Sequence, residues 1–524
     1  MAGSLWIWNG NRWLMPDGGT NAQRRSEGKG SSSGVPMSGD AGFVMSDTCG
    51  DGDFLDSGVL RSGTARKSSE RPLLPSGFWL LRGAGRLTGA TRSSDQSLRH
   101  PADSEGEGEM LPQRLQQRLI EAGLFVWTAA LPLSELREYA VPVFHLEALA
   151  VERIYRQLQV LAVSGSTKSG QEPVPEQSWR QWPAESPDPQ VRRAAKTAVR
   201  ALYTLGLDYG EVRVVLDGQG RAAVRTILPL PARRLAAGPG KEALQRFAAG
   251  YGSARGGGPA AELRIGADPE FVLLRADGRI VSPARFLDPH SAVGCDTVVI
   301  GRRVRHPVAE LRPSPATDPA VLAGQLRRLL RHAASRITEP GLRWLAGGMP
   351  VPGLGLGGHI HFSGAWLSTR LLRMLDSCVA FPLALVEDPA GRKRRPRYGA
   401  LGDYRLQPHG FEYRTPPSWL ISPMAAQAAF ALGLLAVREL WPLAAACRTL
   451  PAERTELVSA YYAGDRDALY QGMRGFLGQM AATPSYRELK RYIAPLLHAI
   501  DSGATWDEQQ DLRHKWKLPA EAMK

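Results

Sequence analysis

Cysteine is scarce and never clustered: the four in 524 residues, Cys49, Cys295, Cys378 and Cys447, lie far apart. Without a CxxC unit or any similar spacing, a disulfide framework and a cysteine-bound structural zinc are excluded, which suits a reducing cytoplasm. Long hydrophobic runs are missing as well. The longest apolar stretch, Met424 to Val437, contains Gln427 and meets Arg438 and Glu439, so it is too short for a bilayer and reads as a buried helix. The first ten residues have no basic start leading into an apolar run, so no secretory signal is expected there. The chain is basic, with 65 Lys and Arg against 51 Asp and Glu, yet no aromatic-plus-basic nucleic-acid motif accompanies that charge. The excess is arginine spread over most of the chain. Its one dense run, Arg392-Lys393-Arg394-Arg395, reads as a solvated loop or one that reaches a phosphate. Neither nucleic acid nor a membrane is the expected partner.

What is present is the composition of a soluble globular chain, 43% hydrophobic and long enough for two or three domains. Residues 1–110 are rich in Gly, Ser, Arg and Asp, with few regularly spaced apolar positions, and are expected to form a disordered tail. From 111 to about 250 the pattern becomes globular. A helix is predicted at 115–124, a strand followed by a helix over 141–161, and a flexible insertion at 164–190. Ala195, Ala198, Val199, Leu202 and Leu205 give 191–207 the spacing of an amphipathic helix. Strand-like runs 211–216 and 222–228 flank Asp217-Gly218-Gln219-Gly220, a hairpin signal. This ending looks faintly like the last part of an ATP-grasp domain, but Thr226-Ile227-Leu228-Pro229 stand where metal-holding acidic and amide residues would be. A structural or substrate-presenting role is expected for this domain.

A Gly-rich linker at 252–261 leads to a second domain, predicted over 262–510. Strands are expected at 263–274, 307–312, 342–346, 357–363 and 410–415. Helices are expected at 318–337, capped by Asp318, and at 367–386 and 422–446. Residues i and i+2 of a strand share a face, and four of these segments place a chemically competent pair at that spacing. They are Asp268 with Glu270, Glu310 with Arg312, His359 with His361, and Glu412 with Arg414. One such pair alone is ordinary for a solvated sheet face. Four pairs made only of carboxylates, imidazoles and guanidiniums are not, because solvated faces mix in Thr, Ser, Lys and Gln. Were these strands to share a sheet, the carboxylates would need cations to remain close. Magnesium suits carboxylates, and an imidazole ligand also admits manganese. The arginines then require an anion, which a metal-bound polyphosphate supplies.

These segments carry a family resemblance. Gly357-Gly358-His359-Ile360-His361-Phe362-Ser363 resembles the Gly-x-His-x-His-x-Ser segment of glutamine synthetase, and Glu412-Tyr413-Arg414 resembles its later Glu-Phe-Arg strand. The order of the motifs is also similar to that of glutamate–cysteine ligases. The likeness is greatest to the phage-type carboxylate–amine ligases called COOH–NH2 ligase type 2, through 266–271, 310–315, 357–362, Arg397-Tyr398-Gly399, Asp403-Tyr404-Arg405 and 412–419. The resemblance implies an α+β fold, with a glutamine-synthetase-like curved antiparallel sheet and helices packed on one face. It implies an amidoligase that consumes ATP with Mg2+ or Mn2+ and joins a carboxylate to an amine, on small molecules or peptides, through an acyl phosphate. Asp268, Glu270, Glu310, His359 and Glu412 would be metal ligands. His361 would lie near the phosphates, and Arg312, Arg405 and Arg414 would hold phosphate oxygens or the substrate carboxylate. Asp268 stands where relatives often carry glutamate, and no counterpart of the ammonium site is found, so ammonia is not implied as the amine.

Other motifs carry less. The run 347–358 is Gly-rich but lacks the Gly-Lys-Ser/Thr ending of a P-loop, and 353–358 leads into a strand where a dinucleotide site needs a helix. It reads as a flexible connection or lid. Glu387-Asp388 reads as a polar cap closing an apolar helix, and His290, His306 and His409 lack a partner at ligand spacing. A zinc hydrolase built on His359 and His361 usually needs a third ligand and an open position, and no His-Glu-x-x-His helix is present; a His-x-His cupin would want a glutamate about four residues on, where Ala365 and Trp366 stand. A non-catalytic module binding an anion or nucleic acid through the arginines is the other alternative. Oligomeric state and the identities of the substrates are open.

Overall fold

The computed structural model describes residues 5–8, 13–14, 43–46, 79–84, 110–128, 136–154, 179–183, 186–231, 233–254, 262–300, 303–447 and 449–518. The chain contacts divide it into two compact units that meet in sequence at Ala249 and Gly250.

In the first unit a mostly antiparallel sheet runs in the order 125–126, 222–228, 209–216, 137–144, 151–154, 179–182. The helix Pro189–Thr204 starts at Asp188, whose carboxylate accepts from Gln190 N, with Pro189 in the first turn. Its buried face, including Val191, Ala194, Ala198 and Leu202, shares a core with Val141, Val143, Val212, Val214 and Val224. The alternate strand positions carry charge, and each carboxylate has an arginine: Glu138 with Arg225, Glu152 with Arg234, Glu211 with Arg213. The sequence reading of strand then helix over 141–161 is corrected here. A second strand, Val151–Ile154, follows the first and pairs with it, while 155–161 lies outside the described residues. So do most of the segment read as a tail, most of the insertion at 164–190 and residues 255–261 of the linker. Within the tail, however, residues 5–8, 13–14, 43–46 and 79–82 form a four-stranded sheet. Ala84 is buried in the core of this unit, and its N–H bonds Tyr209 O. The apolar run at 79–81 is what the low average hydrophobicity of the tail concealed.

The second unit has two antiparallel sheets sharing one bent stretch of chain. Its strands are β1 (Arg264–Ala267), β2 (Glu270–Leu274), β3 (Ile280–Val281), β4 (Val293–Ile300), β5 (Arg303–Leu311), β6 (Arg343–Leu345), β7 (Ile360–Ser363), β8 (Tyr404–Gln407) and β9 (Gly410–Tyr413). One sheet is ordered β1-β7-β9-β8; the other is β3-β2-β5-β4, with β6 also paired to β2. The expected continuous strand 263–274 is interrupted at Asp268-Pro269. Proline has no N–H for the ladder, and there the chain leaves one sheet and joins the other.

Helices pack against the sheets, Pro423–Arg438 on the first and Pro319–Arg336 on strands β4 and β5 of the second. Helix α1 (Pro319–Arg336) begins at Asp318, which accepts from Ala320 N and Val321 N. Helix α2 (Thr369–Leu375) continues through a π turn at 376–380 into α3 (Phe381–Val386). Helices α4 (Pro423–Arg438) and α5 (Leu440–Ala446) replace the single helix expected over 422–446 and are bent by 75°. No single helix among the described residues is long and apolar enough to cross a membrane; α4 and α5 pass such a test only jointly. Helix α4 is instead buried along nearly its whole length, packed among α1, α2 and the helix at 484–501.

Strand register explains which face becomes core. Ile265 pairs with Phe362, Ala267 with Ile360, and Phe362 with Phe411, all buried. A side chain at Gly433 of α4 would come within 3.0 Å of Phe362 Cζ, so α4 lies directly against this face. Trp419 anchors the same core, edge-on to Phe430, while its indole N–H donates to Gly358 O at 2.7 Å. Trp419→Ala is expected to cost about 3–5 kcal/mol of unfolding free energy, read by denaturant titration.

Candidate active site

The face opposite α4 carries the polar pairs. His361 lies across from Gly266 on β1 and Glu412 on β9, and Glu412 lies across from Arg405 on β8. Asp268, two residues beyond Gly266, projects to the same side at the bend between the sheets. On the second sheet Glu270 and Glu310 are direct cross-strand partners. The sheets are stitched at this joint: Glu270 N donates to Gly357 O, Gly357 N to Glu270 Oε2 at 2.7 Å, and the Ser418 hydroxyl to Glu270 O at 2.6 Å. The four pairs therefore meet where two sheets join, rather than along one continuous sheet.

Ligand-competent atoms of Asp268, His361 and Glu412 lie within 4.8 Å of one another. Asp268 Oδ1, His361 Nε2 and Glu412 Oε1 are buried and meet only ion-pair contacts: His359 Nδ1 with Asp268 Oδ1 and Glu412 Oε1, His361 Nε2 with Asp268 Oδ2 at 3.2 Å, and Arg414 Nε with Glu412 Oε1 at 2.9 Å. Buried polar atoms are normally bonded, and two carboxylates with an imidazole are a donor set for a divalent cation. The residues present fit a metal ion. The sequence expectation distributed the roles differently. His361, expected near phosphates, is in this group, whereas His359 turns Nδ1 toward Asp268 Oδ1 (3.1 Å) and Glu412 Oε1 (3.2 Å) and sits behind them.

Charge and burial set the protonation states. Burial would raise Asp268, but His359 and His361 outweigh it and hold its carboxyl well below the usual range. Burial would lower His359, yet the Asp268 charge and hydrogen bond prevail and raise it to about 9. Glu270 is pushed to about 7 by burial, and Glu310 to about 8 by burial and then by Asp268. Asp296 on β4 adds to the negative potential at both. A cation beside them would favour the ionised forms of Glu270 and Glu310, which burial otherwise keeps protonated.

The arginines divide. Arg414 (2.9 Å) and Arg405 (3.3 Å) both reach Glu412, and Arg405 remains more than half exposed. Both flank the group and can turn toward an anion. Arg312 is differently engaged. It pairs with Glu310 and donates to Pro289 O at 3.0 Å and Ser291 O at 2.8 Å. Its contacts are those of a clamp between β5 and the 289–295 loop, which departs from the phosphate-holding role expected for it.

Several site neighbours were not assigned to the site from the sequence, His409 among them because it lacks a partner at ligand spacing. Gln407 donates to Glu412 Oε2 at 3.2 Å, and the exposed His409 ring stacks on His361 at 6.0 Å between centroids. Asp376, fully buried in the π turn, accepts from Tyr413 Oη at 2.7 Å and so braces the strand bearing Glu412. The available signal for Asp376 was a lone carboxylate inside the apolar run 371–386. For Gln407 and His409 there was none, because their positions depend on the β8–β9 register.

Residues 265–518 match the family described as Phage phiEco32-like COOH.NH2 ligase-type 2. This region belongs to that family. The match contains every residue of the site and lies within the second unit. A search of curated proteins gives no match. Among solved structures, the chain is similar to a bifunctional glutathione synthetase from Pasteurella multocida, with 13% identity and a TM-score of 0.30. That similarity covers 50% of this chain and 52% of the synthetase, so the chain spans about half the length of that relative.

Proposed function

We propose that the ligase region activates a carboxylate with ATP and Mg2+ (or Mn2+) and joins it to an amine through an acyl phosphate, on a glutamine-synthetase-like curved surface. The observation that carries this reading is the buried group of Asp268, His361 and Glu412, whose ligand-competent atoms lie within 4.8 Å of one another. A divalent ion held there would supply positive charge that offsets the charge developing during phosphoryl transfer. Asp268, His361 and Glu412 would hold it. Glu270 and Glu310, paired across the neighbouring strands, supply further carboxylates for cations on the same side. His359 orients Asp268 and Glu412 through its Nδ1. Arg405 and Arg414 turn from Glu412 toward the transferring phosphoryl group or the substrate carboxylate. Arg312 keeps Glu310 in place from behind.

The testing experiment is a panel of amines and amino acids screened for magnesium-dependent ADP release. A ligase releases ADP only when both a carboxylate and an amine are present. A zinc hydrolase ignores ATP, and an anion-binding module consumes none. Arg405→Ala and Arg414→Ala are each expected to lower kcat by on the order of 10²–10³ with Mn2+ affinity nearly unchanged. Steady-state kinetics beside calorimetric Mn2+ titration read both, and a loss in Mn2+ affinity equal to the loss in rate would move these arginines from the phosphate to the metal.

A further inference from the structure

From sequence the Gly-rich run 347–358 reads as a flexible connection or lid and the basic run 392–395 as a solvated loop or one that reaches a phosphate, but the first is wrapped around the second. Val351, Leu354 and Leu356 pack on Val272, Leu274 and Val308, which pins the Gly-rich segment to the second sheet instead of leaving it a lid. Its other end is tied by Glu508, which accepts from Gly348 N and Met349 N. Within this segment lies Arg394, only 1% exposed. A side chain at Gly348 would come within 3.1 Å of Arg394 Cδ and one at Gly355 within 3.4 Å of its Cβ, while one at Gly399 would run into the guanidinium. The glycines form a collar that leaves room for this side chain.

The Arg394 guanidinium ends on the strands of the site. Nη1 and Nη2 donate to Thr415 O at 3.1 and 3.0 Å, and Nη2 also to Pro416 O at 2.8 Å. Thr415 directly follows Arg414. Pro416 O in turn accepts from Gly358 N at 3.1 Å, and Gly357 bridges to Pro417. Gly358 directly precedes His359. One planar fork therefore holds the segment leaving β9, and that segment in turn takes the Gly358 N–H of the segment leading into β7. Among the described residues no carboxylate pairs with Arg394, so its charge meets only carbonyl dipoles. A lysine, with a single point of attachment, cannot reproduce the fork.

We propose that Arg394 is a positioning residue that sets the separation of Glu412 from His359 and His361, and thereby the geometry of the cation group. This rests on reading Asp268, His361 and Glu412 as a cation site. Loss of such supporting contacts typically weakens metal binding about 10–100-fold. Arg394→Lys is compared with the wild-type full-length chain by calorimetric Mn2+ titration, Mn2+ EPR and amide hydrogen exchange. A control, Arg513→Lys, alters another buried arginine, one bonded to Leu342 O and Asp511. Arg394→Lys is expected to weaken Mn2+ binding about 10–100-fold, alter the EPR line shape, and speed exchange at Gly358, while Arg513→Lys leaves all three at wild-type values. Should Arg394→Lys not fold, Gly355→Ala displaces the same side chain by a few tenths of an ångström and is expected to change the same readouts in the same direction. Wild-type Mn2+ affinity or wild-type exchange at Gly358 in a folded Arg394→Lys protein overturns the proposal. Absence of Mn2+ uptake by the wild type instead removes the cation reading on which it rests, whatever exchange at Gly358 shows.

Discussion

Replacing Glu412 with glutamine is expected to weaken Mn2+ binding by more than about 100-fold and reduce ATP-dependent ADP release to background. Glu412 has no exposed surface, and four side chains converge on it: His359, Arg405, Gln407 and Arg414. Loss of a supporting contact alone costs about 10–100-fold in metal affinity, and a ligand's own charge should count for more. Glutamine keeps the size of the side chain and one acceptor oxygen, so the fold should persist. Alanine should not be equally benign. It leaves the buried His359 and the partly buried Arg414 facing an emptied position, and losing one partner of a buried pair typically costs about 3–5 kcal/mol. Calorimetric Mn2+ titration of Glu412→Gln separates the roles, because a purely structural carboxylate would lose stability without losing the metal.

The second large effect concerns pH. In the metal-free chain, Glu270 and Glu508 are raised to about 7 and Glu310 to about 8, each chiefly by burial. Over the window from about pH 4.5 to 8 the folded chain keeps protons that the unfolded chain releases, so stability falls as pH rises. His359, raised to about 9 mainly through Asp268 against the opposing effect of burial, acts in the same direction. Its contribution is complete below the unfolded value of about 6.5 and is lost as pH approaches 9. Asp268 is lowered and acts oppositely, its contribution disappearing only on strong acidification. Metal-free protein should therefore be most stable near pH 5–6. Glu508 alone contributes a change on the order of 3 kcal/mol between pH 4.5 and 7. Metal binding needs the carboxylates ionised and displaces their protons, so the increase in Tm with Mn2+ should grow from pH 5.5 to 8.5. Thermal melts at both pH values, with and without Mn2+, test the sign, and Glu508→Gln should flatten the metal-free slope. A metal-free protein that melts higher at pH 8.5 than at pH 5.5 would refute the protonation scheme.

The chemistry of this region was more legible in the sequence than its geometry. Alternation along a strand is local, so Asp268 and Glu270, His359 and His361, and Glu412 and Arg414 could be paired by inspection. Which strands lie opposite one another is a tertiary matter. Nothing in 293–300 announced β4 or Asp296, and nothing near 404–410 announced that Gln407 and His409 would stand beside Glu412 and His361. The division of the expected strand 263–274 was signalled by Pro269, but not its consequence, the placing of Asp268 at the seam of two sheets. The basic run 392–395 misled for a clear reason. Composition suggests solvent for four consecutive cations, yet Glu387 and Tyr461 enclose Arg395, and backbone carbonyls take up Arg394. Neither partner set is near enough in sequence to be anticipated. The π turn at Asp376 escaped notice similarly, since periodicity alone predicts an uninterrupted helix over 367–386.

Anomalous scattering from crystals of the full-length chain grown with Mn2+ would examine the cation group directly. A manganese peak touching Asp268, His361 and Glu412, absent from Glu412→Gln crystals, is the expected result. No peak among these three residues at saturating Mn2+, or one confined to other side chains, would contradict it.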